Sequence, residues 1–365
     1  MREMFYSGVF PMGPAVDANT SGPRLRYMSQ HVLGGGYRGQ MFHHPSSATM
    51  LPADGDLVVA DSWNHRLQFF SPHGRIRQTF GSFGVKPGEF WQPRGLAANN
   101  YSVFVVDTGN HRVQKLRLVN MTVSRVIGTY GRGIYQFRFP VGAVLLNGTL
   151  YVSDSNNHRV SMFWSLALKS KGTFGRRGVE PGQLSHPEGI AGYNGELYVV
   201  DSGNDRISVF NLAGRFLRTF GGEGDAPGRF MLPTGIIAFQ SRLYVTEFYG
   251  KRVQELTTSG EPLQTVPMGD VGGLAGLCAD EWNTGALQLP HLYIVDAEYH
   301  VVHVLAVGNG QSNSKHSSSR ARLQHESSRE SSHSRLQSFL DGIVAPLKRH
   351  KSHHGSNAHT SKGVG

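Results

Sequence analysis

Asp61-Ser62-Trp63-Asn64-His65-Arg66 returns along the chain as Asp107-Thr108-Gly109-Asn110-His111-Arg112 and as Asp154-Ser155-Asn156-Asn157-His158-Arg159. It returns again, with Asp in the His position, as Asp201-Ser202-Gly203-Asn204-Asp205-Arg206. Two eroded copies follow, anchored at Glu247 with Arg252 and at Asp296 with His300. The six anchors stand 46, 47, 47, 46 and 49 residues apart. A period of that size is one small sheet repeated, since a unit so short cannot bury both faces alone and must stack on copies of itself.

Working outward from the anchor, each period has one plan. In the second copy Pro93-Arg94-Gly95-Leu96-Ala97 opens a strand of small apolar residues, and Val103-Phe104-Val105-Val106 leads to Asp107. Beyond the Asn110-His111 turn, Val113-Gln114-Lys115-Leu116 alternates apolar and polar side chains, and Val123 to Tyr130 supplies an outer strand that Gly131-Arg132-Gly133 breaks. Four short strands separated by turn chemistry make an antiparallel blade. The fold class expected is therefore all-β, a six-bladed propeller over residues 24–307. The sixth copy runs out before an outer strand, whereas Leu25 to Leu33 precedes the first blade and is followed by three glycines. An N-terminal strand is thus expected to close the ring, which removes exposed sheet edges.

The repeated Asp, Asn, His and Arg read as corner chemistry. Asp accepts backbone N–H bonds across a tight turn, and Asn or Gly there tolerates positive φ. A catalytic group is needed once, a structural device once per blade. The glycine-rich stretches do not join a parallel strand to a helix, so they lack the setting of a phosphate cradle. No Gly-x-Ser-x-Gly elbow, His-Glu-x-x-His helix or EF-hand spacing occurs. His43-His44 before Pro45 and His186 before Pro187 read as loop polarity. No catalytic residue, metal site or cofactor is assigned.

Composition divides the chain. From Gln311 to Gly365 there are 14 Ser, 7 His and 9 Lys or Arg against 3 acidic residues, so +6 of the formal +10 charge belongs to this stretch. Such a segment buries too little apolar surface to offset its conformational entropy, and residues 308–365 are expected as a disordered tail with a short amphipathic helix at 335–345. Residues 1–23 are expected to be flexible. The single cysteine, Cys278, excludes an intrachain disulfide framework and a Cys-rich zinc site. No apolar run reaches membrane-spanning length and no basic-then-apolar leader opens the chain, so the expected location is the cytoplasm or nucleus.

The corner elements, with Pro-x-Gly-Ile/Leu-Ala and Tyr/Phe-Val-Val-Asp beside them, resemble the NHL-repeat β-propeller family over about residues 25–307. The resemblance is to the propeller module of tripartite-motif and Brat-like proteins, without their RING, B-box or coiled coil. It implies a non-catalytic scaffold that binds a protein or peptide through one end of a monomeric ring, and no enzyme activity. It implies two alternatives: single-stranded RNA binding, and a zinc-containing lyase similar to the propeller of peptidylglycine-amidating enzymes. Cations and aromatics in the loops before the innermost strands could contact phosphates and stack bases. The candidate contact residues are Lys86, Trp91, Arg94, Arg132, Arg138, Arg176, Arg177, His186 and Arg229. The basic tail adds a weak contact with an acidic partner or membrane surface.

Overall fold

The computed structural model describes residues 24–26, 32–33, 41–280 and 290–308. The tail, its helix expected at 335–345 and the N-terminal 1–23 lie outside the described residues. Six antiparallel sheets follow one another around a ring. The first blade comprises Ser47–Met50, Leu57–Asp61, Arg66–Phe70 and Ile76–Phe80. The second comprises Pro93–Asn99, Ser102–Asp107, Arg112–Arg117 and Thr122–Ile127. The innermost strands of the third, fourth and fifth blades begin at Pro140, Pro187 and Pro233. The sixth blade pairs Leu274–Asp280, His291–Asp296 and Val301–Gly308.

Closure occurs as the sequence implies. Arg24–Arg26 pairs antiparallel with Gly308 to Ala306, and Val32–Leu33 pairs with His303 and Val302. The two ends of the repeat array therefore share one sheet. Burial follows from stacking. Leu57 and Val59 face the sixth blade, packing with Tyr293, Val295 and Val302, whereas Val58 and Ala60 face the second, packing with Leu96, Val103 and Val105. A strand clamped between two sheets is apolar at every position, which is why Leu-Val-Val-Ala does not alternate. Phe90, Phe137 and Phe230, with Leu184 in the same place of the fourth blade, are fully buried beneath the loops that carry them.

The innermost strands approach more closely than side chains allow. A Cβ on Gly142 would stand 2.1 Å from the Glu188 carbonyl oxygen, and one on Gly189 would stand 2.6 Å from that of Thr234. The Pro-x-Gly signature is thus a contact rule between neighbouring backbones. In the second to fifth blades the innermost strand shifts register just after its initial proline, at Pro140/Ala143 and Pro187/Ile190 for example. Proline donates no ladder bond, so an irregularity there leaves no N–H orphaned. Gly142→Ala is expected to lower stability by about 2 kcal/mol or more, since the obstructing atom is backbone and overpacked sites have little room to relax. Urea unfolding monitored by tryptophan fluorescence would check this.

Candidate functional site: the corner face of the ring

The loop approaching each innermost strand and the Asp-to-Arg corner after each second strand lie at the same end of the ring, since Pro93 is paired with Asp107 and Asp107 with Arg112. At that end each blade buries one carboxylate completely: Asp61, Asp107, Asp154, Asp201, Glu247 and Asp296 are all 0% exposed. Asp107 shows how such a charge is tolerated. Its Oδ1 accepts the Trp91 N–H at 2.7 Å, and its Oδ2 accepts from Asn110 Nδ2 at 2.9 Å, Arg112 Nε at 2.6 Å and Gln114 Nε2 at 3.0 Å. Asp61 and Asp154 repeat the scheme. Burial pushes the carboxyls of Asp107, Asp154 and Asp201 upward, and the hydrogen bonds and the Arg charge pull against it. A buried carboxylate whose two oxygens are both hydrogen-bonded, one of them also ion-paired to Arg, is poorly placed to take up a metal or a substrate proton.

The corner arginine does a second job. Arg159 donates to the carbonyls of Arg132, Gly133 and Gln136, and Arg206 to those of Val179 and Gln183. Arg112 binds the Val85, Lys86 and Glu89 carbonyls, and Arg252 binds those of Asp225 and Arg229. The approach-loop tip is therefore fixed by its backbone, and the side chain at that position is left to vary: Val85, Arg132, Val179 and Asp225 in successive blades.

The corner histidine was expected to follow the residue with positive φ, but it is that residue. His65, His111, His158 and Asp205 hold φ between 48 and 55°, and the Asn before each stays in the short 3-10 turn. The reason lies across the blade boundary. Nδ1 of His65, His111 and His158 accepts the backbone N–H of Gln92, Phe139 and His186 at 3.1 to 3.2 Å, and Oδ1 of Asp205 accepts that of Leu232 at 2.8 Å. His300 accepts from His44 at 3.1 Å, carrying the same latch across the closing seam. Fixing the donor of the next blade outweighs the cost of a left-handed non-Gly residue. Neither the latch nor its conformation has a signal in the sequence beyond the recurrence of the His.

A latch needs an unprotonated Nδ1. Burial lowers the His65 and His111 imidazoles, and burial with His186, Arg177, Arg132 and Arg138 brings His158 down to about 4.

The same facts place the expected contact residues. Arg132, Arg138 and Arg177 all act on His158 and so form one cationic cluster over the third and fourth blades, with the His186 ring edge-on to that of His158 at 4.6 Å. Arg138 lies over the Tyr130 ring at 5.2 Å and donates to its hydroxyl. Lys86 and Trp91 stand on the second-blade loop, where Trp91, Phe83 and His65 form a chain of ring contacts at 6.2 and 5.0 Å. Arg176 is exposed beside Arg177. Arg229 belongs to a different setting, bonded to the Gly221 carbonyl on a loop that also carries Glu223 and Asp225. Arg94 is not at this surface. It lines the central channel and pairs with Glu188 at 3.5 Å, both side chains largely buried.

That channel encloses about 270 Å³. Among the described residues its titratable lining is Arg94, Glu188 and Cys278. Burial raises Glu188, opposed by Arg94, and pushes the Cys278 thiol far up, so it is no thiolate nucleophile. One carboxylate and no imidazole make a poor donor set for a divalent metal.

Comparison with known proteins gives the repeat its name. The NHL repeat family matches residues 42–70, 90–116 and 137–163, which are the first three blades from approach loop to third strand. These three segments are NHL repeats. Over 91 residues the chain is 33% identical to NHL repeat-containing protein 2 of Gallus gallus, a match covering 23% of this chain and 12% of that protein. Over 79 residues it is 29% identical to Protein brain tumor of Drosophila melanogaster, covering 22% and 8%. The chain thus matches only a small part of either relative. A gluconolactonase from Xanthomonas campestris shares the fold, with a TM-score of 0.58 at 16% identity over 82% of this chain and 99% of that one.

The latch makes stability pH-dependent with a definite sign. The folded His158 pKa of about 4 lies below its unfolded value of 6.5, so the unfolded chain takes up the proton first. The latch contribution is complete above pH 6.5 and is lost as pH falls towards 4. The urea midpoint should decline over that window. His158→Asn, which keeps a neutral acceptor, should decline less steeply.

Proposed function

We propose that this NHL propeller is a non-catalytic scaffold that binds a segment of another protein across its corner face. The observation that carries the reading is where apolar side chains are exposed. Ten of the fifteen exposed large apolar residues lie in the approach loops and corners, among them Trp63, Phe83, Val85, Trp91 and Tyr130. Tyr101, Val119, Trp164 and Leu166 mark the opposite end, and Val126 lies on an outer strand. Aromatic groups on a pinned backbone lose little freedom on binding, which favours them as anchors.

Charge on the same face is uneven. The loops entering the second, third and fourth blades carry Lys86, Arg132, Arg138, Arg176 and Arg177 against Glu89 and Glu180, whereas those entering the fifth and sixth carry Glu223, Asp225 and Asp270 against Arg229. A ligand that places an apolar anchor near Trp63 and Trp91 and acidic residues over Arg132, Arg138 and Arg177 fits this layout. Buried, Arg-paired corner carboxylates and a channel with a single paired glutamate support a binding role over a lyase. Single-stranded RNA is the second reading, favoured by the Arg138 guanidinium stacked on exposed Tyr130 beside two further arginines.

Selection of displayed random peptides on the full chain is expected to enrich acidic sequences with an aromatic or aliphatic anchor. The triple form Arg132→Glu, Arg138→Glu, Arg177→Glu should weaken them at least tenfold. Peptides that bind both forms equally would overturn the assignment of the surface. RNA crosslinks in cells that the triple form abolishes would transfer the same surface to the second reading.

A further inference from the structure

We propose that His43, His44 and His300 form a binding site for a divalent transition cation, with Zn²⁺ as the fitting ion, across the seam where the sixth blade meets the first. The three residues come from the two ends of the ring. His43 and His44 end the loop leading to Pro45, and His300 is the corner histidine of the last blade. Their candidate ligand atoms all lie within 4.8 Å of one another, with His44 and His300 half-buried and His43 on the exposed side.

The ring geometry is that of a facial triad. Centroids stand 5.4 Å apart for His43 and His44, 5.3 Å for His43 and His300, and 4.7 Å for His44 and His300. Imidazoles held tetrahedrally on one zinc by bonds of about 2.0–2.1 Å have centres roughly 5 Å apart. The His43 ring makes ring contacts only among the described residues, so rotation about its side-chain bonds can aim a nitrogen inward without breaking a hydrogen bond. Trp63 stacks on His44 at 4.3 Å and meets His43 edge-on at 5.2 Å, giving the site an apolar wall. Three imidazoles leave the fourth zinc position open to water or to a group on a bound partner.

His300 differs from the other corner residues in a way that suits metal binding. Its Nδ1 stands 3.1 Å from the His44 backbone N and also 3.0 Å from the Ala297 carbonyl oxygen. In one tautomer Nδ1 accepts the latch bond. In the other it donates to Ala297, which leaves the Nε2 lone pair for the metal. A ligating histidine whose second nitrogen donates to a backbone carbonyl is the usual outer-shell arrangement. The latch nitrogens of His65, His111 and His158 have only the backbone donor.

The molecule contains its own control. At the third-to-fourth seam His158 and His186 meet edge-on at 4.6 Å, but Ser185 stands where His43 would be, and Arg132, Arg138 and Arg177 surround the pair. That seam repels a cation.

The test is thermal unfolding of the full chain with and without Zn²⁺, comparing the natural sequence with His43→Gln and His300→Asn. His43 contributes only its backbone to the corner network, and Asn at 300 keeps a latch acceptor as Asp205 does, so both variants retain the fold. Seven histidines beyond residue 310 also attract zinc, but all three forms share them and the difference between forms cancels their effect. A rise in midpoint for the natural sequence that both variants lose, with Co²⁺ quenching of tryptophan fluorescence that Trp63→Phe diminishes, is expected. An equal rise in all three forms, or none in the natural sequence, would overturn the site.

Discussion

One buried carboxylate per blade is the constraint on which the rest of the ring depends. An ionised group removed from water is tolerated only where its lone pairs are met, and here they are met by donors from three separate pieces of chain. Trp91 comes from the approach loop, Asn110 from the corner, and Arg112 and Gln114 from the third strand, all converging on Asp107. Satisfying the charge therefore places loop, corner and strand together. The arginine that neutralises it extends past it to hold the loop tip by carbonyl oxygens.

A division of labour follows. What is repeated is spent on backbone position: the corner carboxylate, its arginine, the latch at the next blade and the glycine that lets inner strands touch. What varies is displayed. The tip series Val85, Arg132, Val179, Asp225 and the stacking series Phe83, Tyr130, Arg177, Glu223 sit on equivalent, fixed backbone positions and differ in chemistry from blade to blade. Rigid presentation of unlike side chains suits recognition, because little ordering entropy remains to be lost when a partner arrives.

The fold was legible because its determinants are local and recur. Asp61 and Arg66 are five residues apart, and Pro-x-Gly recurs in the second to fifth blades, with Ser47 in the glycine place of the first and Leu274 in the proline place of the sixth. Closure by residues near 25–33 was legible from what the sixth copy lacks. The candidate surface was legible in part. Recurrence puts Lys86, Trp91 and the loop arginines at one end, while Arg94, which opens a channel-lining strand, turns into the channel and pairs with Glu188, 94 residues away. His43-His44 reads as loop polarity and His300 as an eroded corner, because nothing local joins His44 to His300. They are 256 residues apart and meet only when the ring shuts.

The central claim is that the corner pair is cooperative structure, and a double-mutant cycle tests it most directly. Asp154→Ala, Arg159→Ala and the double variant would be compared with the natural sequence by urea unfolding. If the buried carboxylate and its arginine act as one unit, losing either leaves the other uncompensated, and the coupling should reach about 2–3 kcal/mol. A coupling within about 0.5 kcal/mol of zero, with the fold retained in all forms, is what independent sites give and would contradict the account.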